Sequence, residues 1–433
     1  MATVVLLGTL DTKGSEYDYL RLRLIAHGVR VVVVDAGILG SPSTEPDIPR
    51  EEVARAAGAD VGELAAAGDR GAAVETMMRG AAEIVKQLYA QGRLDGILGL
   101  GGSGGTNLVT YAMRQLPVGV PKLMVSTVAS GNVRPYIGGV DITMMYSVVD
   151  ISGINRFSAR ILANAAAAVA AMAQEAAIAR LAQIEAPEFI QDRPLVGATM
   201  FGVTTPCVTA ARERLEALGY ETFVFHATGV GGQSMETLIR DGFLTAALDV
   251  TTTELADDLD GGICSAGPER LEAAGALGIP QVVSLGALDM VNFGPIETVP
   301  AKFRSRRLYK HNPTITLMRT TPEECAELGR RIARKLNAAR GPVSLFIPLR
   351  GVSSLSTPGQ VFHDAAADEA LFRALRAHLE PHVAVREMDT DINDPAFAVA
   401  MADTLHALHT NWIAVRKEPY DTSGNTGTPA PPG

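Results

Sequence analysis

The sequence predicts an α/β protein made of two Rossmann-like domains, each with a parallel sheet covered by helices. Three observations predict this fold class: short β-rich runs alternate with amphipathic helical runs, glycine-rich turns follow several of the β-rich runs, and the two halves of the chain repeat one pattern. The chain has 433 residues, more than a single core usually organises. Its content of 47% hydrophobic residues is typical of a globular protein.

The predicted strands are short apolar runs. In order, they are Thr3–Gly8, Val29–Asp35, Gly96–Leu100, Lys122–Ser126, Leu195–Gly202, Glu221–His226, Ala246–Val250 and Gln281–Leu285. Amphipathic helices fill the intervals, for example Tyr17–Ala26 and Thr209–Leu218. Strands that alternate with helices of this length form βαβ units, so both sheets should be parallel.

The two halves resemble each other at three places in the same order. The matching pairs are Val5–Thr9 with Thr199–Val203, Val74–Arg79 with Met235–Arg240, and Gly119–Ser126 with Gly278–Ser284. Each pair falls at the same point of a βαβ cycle, which suggests that one half was duplicated. We therefore expect a first domain over 1–184 that ends in a long Ala-rich helix, a second over 194–420, and a disordered tail over 421–433. The two sheet edges should face each other across a ligand-binding cleft.

A glycine-rich segment, Gly101–Thr106, is the most informative local feature. It follows the apolar run Ile97–Leu100 and opens the helical segment Asn107–Gln115. Glycines let the backbone approach a ligand, and the free N–H groups and dipole of a helix start favour an anion such as phosphate. The pattern is neither a P-loop nor the spaced glycine fingerprint of dinucleotide folds. The predicted phosphate contacts are Gly101, Gly102, Ser103, Gly104, Gly105 and Thr106, and a tight turn without a ligand is the alternative.

Other segments of the first half could complete a nucleotide site. Thr9 and Asp11 could cap the first helix, and Lys13 could meet a phosphate, although capping alone would explain the pattern. Asp35 ends the second strand, where doubly wound folds often place a carboxylate on a ribose hydroxyl, but an ordinary strand-end turn is the alternative. A further set of small donors follows the fourth strand: Ser126, Thr127, Ser130 and Gly131.

Four residues of the second half are candidates for catalysis or substrate binding. His226 precedes a second glycine-rich turn, so it could orient a ligand or move a proton. Glu254 could act as a general base if its pKa is tuned, although helix capping is the simpler explanation. Arg350 follows a strand and could clamp a carboxylate or phosphate. His311 belongs to a local basic cluster that an anionic ligand or a partner chain could use.

Bulk properties exclude several classes of function. A net charge of −10 argues against nucleic-acid binding, which needs a basic surface. No uninterrupted apolar run approaches the ~20 residues of a membrane span, and the first residues lack the basic region of a signal peptide. The three cysteines have no metal-like spacing, so we expect no metal ligated by the protein and a reducing, cytoplasmic location.

Several long motifs are also similar to those of a known family. They are Gly8–Gly14, Gly99–Thr106, Val125–Gly131, Asp141–Ser147, Phe201–Cys207 and Leu288–Gly294. With them the chain resembles the ATP-binding domain family named for the amino-terminal domain of a tomato mosaic virus resistance protein, whose bacterial members are mostly uncharacterised. The resemblance implies a Rossmann-like fold with two subdomains, nucleotide binding and self-association. It implies no particular reaction.

Together these points predict a cytoplasmic, homodimeric, nucleotide-binding protein. ATP, alone or with Mg²⁺, would occupy the first half. A small anionic metabolite would lie in the cleft beside His226, Glu254, His311 and Arg350, and undergo acid–base chemistry or phosphoryl transfer. Two alternatives stay open at this point: an ATP-independent lyase or hydrolase that acts on a phosphorylated or carboxylated small molecule, and a binding module for a partner protein.

Overall fold

The computed structural model describes residues 1–182 and 193–417 and divides the chain into two units, Met1–Asp192 and Arg193–Gly433. The tail predicted over 421–433, and most of the predicted linker between the domains, lie outside the described residues.

The first unit is built on a five-stranded parallel sheet. In chain order the strands are β1 (Thr3–Gly8), β2 (Arg30–Asp35), β3 (Gly96–Gly101), β4 (Lys122–Ser126) and β5 (Thr143–Tyr146). Side by side they lie in the order β2-β1-β3-β4-β5, so the direction in which strands are added reverses between β1 and β3. Both of these central strands are buried along their whole length, because helices cover the two faces of the sheet.

Seven helices are described in this unit: α1 (Leu10–Ala26), α2 (Arg50–Ala56), α3 (Val61–Ala66), α4 (Arg70–Ala90), α5 (Ser103–Met113), α6 (Arg134–Ile137) and α7 (Arg156–Ala182). One core contains side chains of α1 and α7, and the core on the other face contains side chains of α4 and α5. Over Arg156–Arg180, α7 has the length and composition of a membrane span. Its residues Ala165, Ala166 and Val169 are nevertheless fully buried in the protein core.

The second unit contains a six-stranded parallel sheet and a small antiparallel one. The large sheet begins with β6 (Leu195–Met200), β7 (Glu221–His226), β8 (Ala246–Thr251) and β9 (Gln281–Gly286). Next in the chain come the antiparallel strands β10 (Met290–Phe293), β11 (Leu308–Asn312) and β12 (Ile315–Arg319). The large sheet is then completed by β13 (Val343–Pro348) and β14 (Ala384–Met388), which gives the order β7-β6-β8-β9-β13-β14.

The described helices of the second unit are α8 (Thr205–Ala217), α9 (Val230–Arg240), α10 (Glu254–Asp260), α11 (Ala273–Leu277), α12 (Pro322–Asn337), α13 (Ala365–His378) and α14 (Pro395–Lys417). Helix α12 begins with a capping box between Thr321 and Glu324, which satisfies backbone N–H groups at both positions.

The predicted fold class is confirmed, since both units are α/β with parallel sheets. In each unit the first strand lies between the second and the third, and the fourth follows the third. The shared order agrees with duplication of one half. The eight predicted strands are all present, whereas β5, β13, β14 and the antiparallel strands were not among them.

Candidate functional site

A cavity of about 440 Å³ lies in the first unit, where the strand order reverses between β1 and β3. Its walls come from the loops that follow these two strands and from the chain between β2 and α4. Doubly wound sheets bind their ligands beyond the carboxyl ends of the strands at such a reversal. The position of this cavity therefore makes it the candidate site.

The glycine-rich loop forms one side of the cavity. Residues Gly101–Gly105 line it, and α5 starts within them, with Gly102 as its N-cap and no side chain capping its first N–H groups. A Cβ atom on Gly101 would lie 2.9 Å from the Cα atom of Gly105, so the turn itself requires glycine there. A Cβ atom on Gly104 would have no atom within 4 Å apart from its chain neighbours and the backbone of α5. Gly104 thus faces open space at the amino-terminal end of a helix.

Two more helix starts adjoin the same cavity. The first turn of α1 contributes Thr9, Asp11 and Lys13, and the first turn of α4 contributes Arg70 with its N-cap Asp69. The first turn of α1 is separated from the rest of that helix by a kink at Lys13. Three helix starts therefore adjoin one space, and backbone N–H groups at helix starts favour anions. Arg70 is exposed and makes no hydrogen bond or ion pair within the described residues, so its charge is available to a ligand. The carboxylate of Asp69 partly offsets this charge.

Part of the cavity wall is apolar. It is formed by Ile38, Leu39, Leu64, Val74 and Leu108. Small-molecule sites commonly combine a few charged groups with apolar surface that covers the rest of the ligand. The apolar wall can therefore cover a weakly polar part of a ligand.

Two of the predicted ligand contacts have protein partners instead. Asp11 accepts hydrogen bonds through Oδ2 from the N–H groups of Ile38 (3.1 Å) and Leu39 (2.9 Å), so it shapes the cavity wall. The ammonium group of Lys13 donates to the carbonyl of Ile151. Thr9 and Thr12 bring their hydroxyl oxygens within 2.9 Å of each other at the rim.

Asp35 is fully buried at the end of β2. It accepts bonds from the N–H groups of Leu10 (3.0 Å) and Gly37 (2.9 Å) through Oδ1, and from Arg50 Nε (2.9 Å) through Oδ2. Both oxygens are used within the fold, and a buried carboxylate held by an arginine is costly to disturb. This environment favours the strand-end structural role of Asp35 over the ribose contact that its position suggested.

The loop after β4 contacts the glycine-rich loop but does not line the cavity. The hydroxyl oxygens of Thr106 and Ser126 are buried and 2.6 Å apart, so they join the first turn of α5 to the end of β4. Ser130 and Gly131 are exposed, and neither they nor Thr127 line the cavity. The Thr127 N–H group also donates to the Gly101 carbonyl at 3.2 Å. The structure therefore brings the glycine-rich loop into contact with the Ser126–Gly131 loop as well as with the loop after β1, but only the loop after β1 shares the cavity with it.

In the second unit Glu254 is fully buried at the start of α10. Its Oε1 accepts from the N–H groups of Gly229 (2.7 Å) and Gly232 (3.0 Å), and its Oε2 accepts from Arg270 Nε (2.6 Å). Burial raises the pKa of Glu254 above its ordinary value, while the charge of Arg270 opposes that shift. With both oxygens engaged and no solvent contact, the carboxylate is placed for a structural role and not for that of a general base.

The other three candidates of the second unit are exposed. His226 packs edge-on against Phe201 with ring centroids 5.7 Å apart, and His311 lies on β11. Arg350 forms two hydrogen bonds with Asp389, of 2.8 and 2.6 Å, and lines a separate cavity of about 490 Å³. Within the described residues no hydrogen bond or ion pair joins any two of the four predicted catalytic side chains.

Sequence reasoning missed Arg70 and the apolar wall. The sequence signal for Arg70 was its position between two glycines, Gly68 and Gly71, at the start of the amphipathic run that forms α4. No group of three or more potential metal-ligating side chains is found in residues 1–182 and 193–417.

Comparison with known proteins gives a family but no activity. Residues 2–177 match the family model described as the N-terminal domain of uncharacterised protein family UPF0261, and residues 193–409 match the C-terminal domain of that family. A UPF0261 protein of Clostridium tetani is 52% identical over 93% of this chain and 98% of its own length. A UPF0261 protein of Rhizobium meliloti is 46% identical over 92% of this chain and 97% of its own length.

The tomato protein suggested by the sequence motifs is also a relative. The tomato mosaic virus resistance protein Tm-1 of Solanum lycopersicum is 46% identical over 77% of this chain and 44% of its own length. Among solved structures, the glycosyltransferase SsfS6 of Streptomyces sp. SF2575 with thymidine diphosphate matches 93% of this chain and 100% of its own. Its identity is 13% and its TM-score is 0.18, too low to support an argument. The relation to the tomato protein is confirmed, whereas neither family description mentions ATP.

Proposed function

This chain belongs to the uncharacterised protein family UPF0261, and from that premise we propose that its first unit binds a nucleotide through the nucleotide's phosphates. The observation that carries the proposal is the convergence of three helix starts, those of α1, α4 and α5, on one cavity of about 440 Å³. A cavity of this size can hold a small molecule.

The phosphates are assigned to the end of the cavity formed by Gly102–Gly105. The first N–H groups of α5 lack a side-chain cap, and an oxyanion would give them partners. Arg70 stands at the start of α4 without a protein partner among the described residues, and an arginine can bind a phosphate through two parallel hydrogen bonds. Both contacts involve a charged group, which makes them stronger than neutral hydrogen bonds.

The base is assigned to the apolar wall. Ile38 and Leu39 belong to the loop after β2, and Leu64 and Val74 belong to α3 and α4. We propose ATP with Mg²⁺ as the ligand, since the sequence motifs resemble an ATP-binding family. A phosphorylated metabolite without a base is the second candidate, because the phosphate end of the cavity would accept it equally well.

The other predictions from the sequence remain proposals. An anionic co-ligand would meet the exposed side chains of His226, His311 and Arg350, while Glu254 is engaged elsewhere. Homodimer formation and a cytoplasmic location rest on the resemblance and on the sequence. No reaction is assigned.

Isothermal titration with three ligands tests the proposal. Mg-ATP should bind more tightly than inorganic pyrophosphate, and adenosine should bind most weakly, because charge-assisted contacts supply most of the affinity. Equal affinity for pyrophosphate and ATP would favour a phosphorylated metabolite without a base as the ligand of this site. No heat and no thermal shift with either phosphate ligand would refute the site.

A further inference from the structure

We infer that the second unit contains a closed counterpart of the first unit's cavity, in which the carboxylate of Glu254 occupies the place of a ligand. This inference rests on the proposed function only where it concerns the first unit. The closed site itself stands on contacts within the second unit.

The strand registers make the two positions equivalent. In the first unit Val4 on the first strand pairs with Gly96 on the third, and in the second unit Val196 pairs with Ala246. Gly104 lies eight residues after Gly96, and Glu254 lies eight residues after Ala246. Counted from the third strand, the two residues therefore correspond, and both lie in the first turn of the helix that follows, Gly104 as the second residue of α5 and Glu254 as the first residue of α10. At this position the first unit has a glycine, without a side chain, and the second unit has the carboxylate side chain of Glu254.

The carboxylate of Glu254 is held like a bound anion. Oε1 accepts from two N–H groups at the start of α9, those of Gly229 and Gly232, at 2.7 and 3.0 Å. A Cβ atom on Gly232 would lie 2.1 Å from Oε2, so the close approach of backbone and carboxylate requires glycine at this position. The positive φ of Gly229, 91°, aims its N–H group at the same oxygen.

A buried arginine completes the site independently of Glu254. Arg270 is fully buried and donates Nε to Oε2 at 2.6 Å. Asp249 holds the other end of the guanidinium through bonds of 2.5 and 2.6 Å. Burial lowers the pKa of Arg270, but the charges of Asp249 and Glu254 raise it above the ordinary value, so the guanidinium stays charged. Without Glu254, Arg270 would remain in place because Asp249 still fixes it.

Two consequences follow from the closed site. Removal of the Glu254 side chain opens a site for a small oxyanion, made of the Gly229 and Gly232 N–H groups and Arg270 Nε. The intact chain binds one nucleotide, in the first unit, because the counterpart in the second unit is filled by the protein.

Formate rescue of Glu254→Gly tests the closed site directly. The variant loses the buried carboxylate, so its Tm should fall, and saturating formate should restore roughly 2–4 °C of that loss. Glu254→Gln is the matched control: its amide fills the space, so formate should leave its Tm unchanged, as in the unaltered protein. If Glu254→Gly is recovered unfolded, its refolding yield in formate against an equal concentration of chloride replaces the melting measurement.

Equal Tm shifts, or equal refolding yields, for Glu254→Gly in formate and in chloride would overturn the inference. Titration of the unaltered chain with Mg-ATP should give one site, and two sites would also overturn it. If no nucleotide binds at all, the proposed function fails, while the formate result still decides whether the second unit holds the closed site.

Discussion

Gly104→Val is the most incisive test of the phosphate site. Gly104 lies in the first turn of α5, and a Cβ atom there would have no atom within 4 Å apart from its chain neighbours and the backbone of α5. A valine side chain would therefore extend into the cavity without displacing protein atoms. The variant separates binding from folding, because it fills ligand space and leaves the core unchanged.

The position of Gly104 determines how much the substitution should change the free energy of unfolding and how much it should weaken ligand binding. Valine is a somewhat better helix former than glycine, so the free energy of unfolding should change by no more than about 0.5 kcal/mol. A phosphate displaced from the start of α5 would lose two charge-assisted hydrogen bonds of roughly 1.5–3 kcal/mol each. The combined loss of about 3–6 kcal/mol corresponds to a roughly 10²- to 10⁴-fold weaker Kd.

Titration with Mg-ATP, combined with thermal melting, measures both quantities. Ala171→Val is the control, because it adds valine bulk to an exposed position of α7 that does not line the cavity. Gly104→Glu should abolish binding altogether, since it places a carboxylate in the first unit at the position that corresponds to Glu254 of the second unit. An unchanged Kd for folded Gly104→Val would refute the assignment of the phosphates to this loop.

Three other results are expected. Arg70→Gln should weaken Mg-ATP binding about tenfold at low salt and less at high salt. The Tm should not change, because Arg70 has no protein partner among the described residues. A loss of affinity that does not depend on salt would argue against a charge contact. The phosphates of bound Mg-ATP should replace the Ile151 carbonyl as the hydrogen-bond acceptor of Lys13. The backbone amides around Ile151 should then exchange with solvent faster in the presence of Mg-ATP than in its absence, and slower exchange would contradict this. Burial raises the pKa of Asp289 from 3.8 to about 6, so the folded state keeps a proton that the unfolded state releases. The contribution of Asp289 to stability should therefore fall by up to about 3 kcal/mol as pH rises from about 4 to above 6. Asp289→Asn should remove this contribution from the pH dependence measured in urea titrations, and an unchanged pH dependence would exclude it.

The sequence determined the architecture because its signals are local. Alternating apolar runs and amphipathic helices specify βαβ units within a few residues of each position. All eight predicted strands are present, and Gly101–Thr106 does join β3 to α5. The inserted strands β10, β11 and β12 were missed because they are short and pair antiparallel with one another instead of entering a βαβ unit.

Tertiary structure alone decided which of the candidate residues meet. Asp35 lies at the end of a strand and Glu254 at the start of a helix, positions where ligand contacts are common. Each carboxylate instead accepts a hydrogen bond from an arginine that is distant in sequence, Arg50 for Asp35 and Arg270 for Glu254. The cavity lies on the β1 side of the glycine-rich loop, and its wall includes Arg70 from a different part of the chain. Which charged group is paired and which is free depends on side chains brought together by the fold. The spacing of residues along the chain does not contain that information.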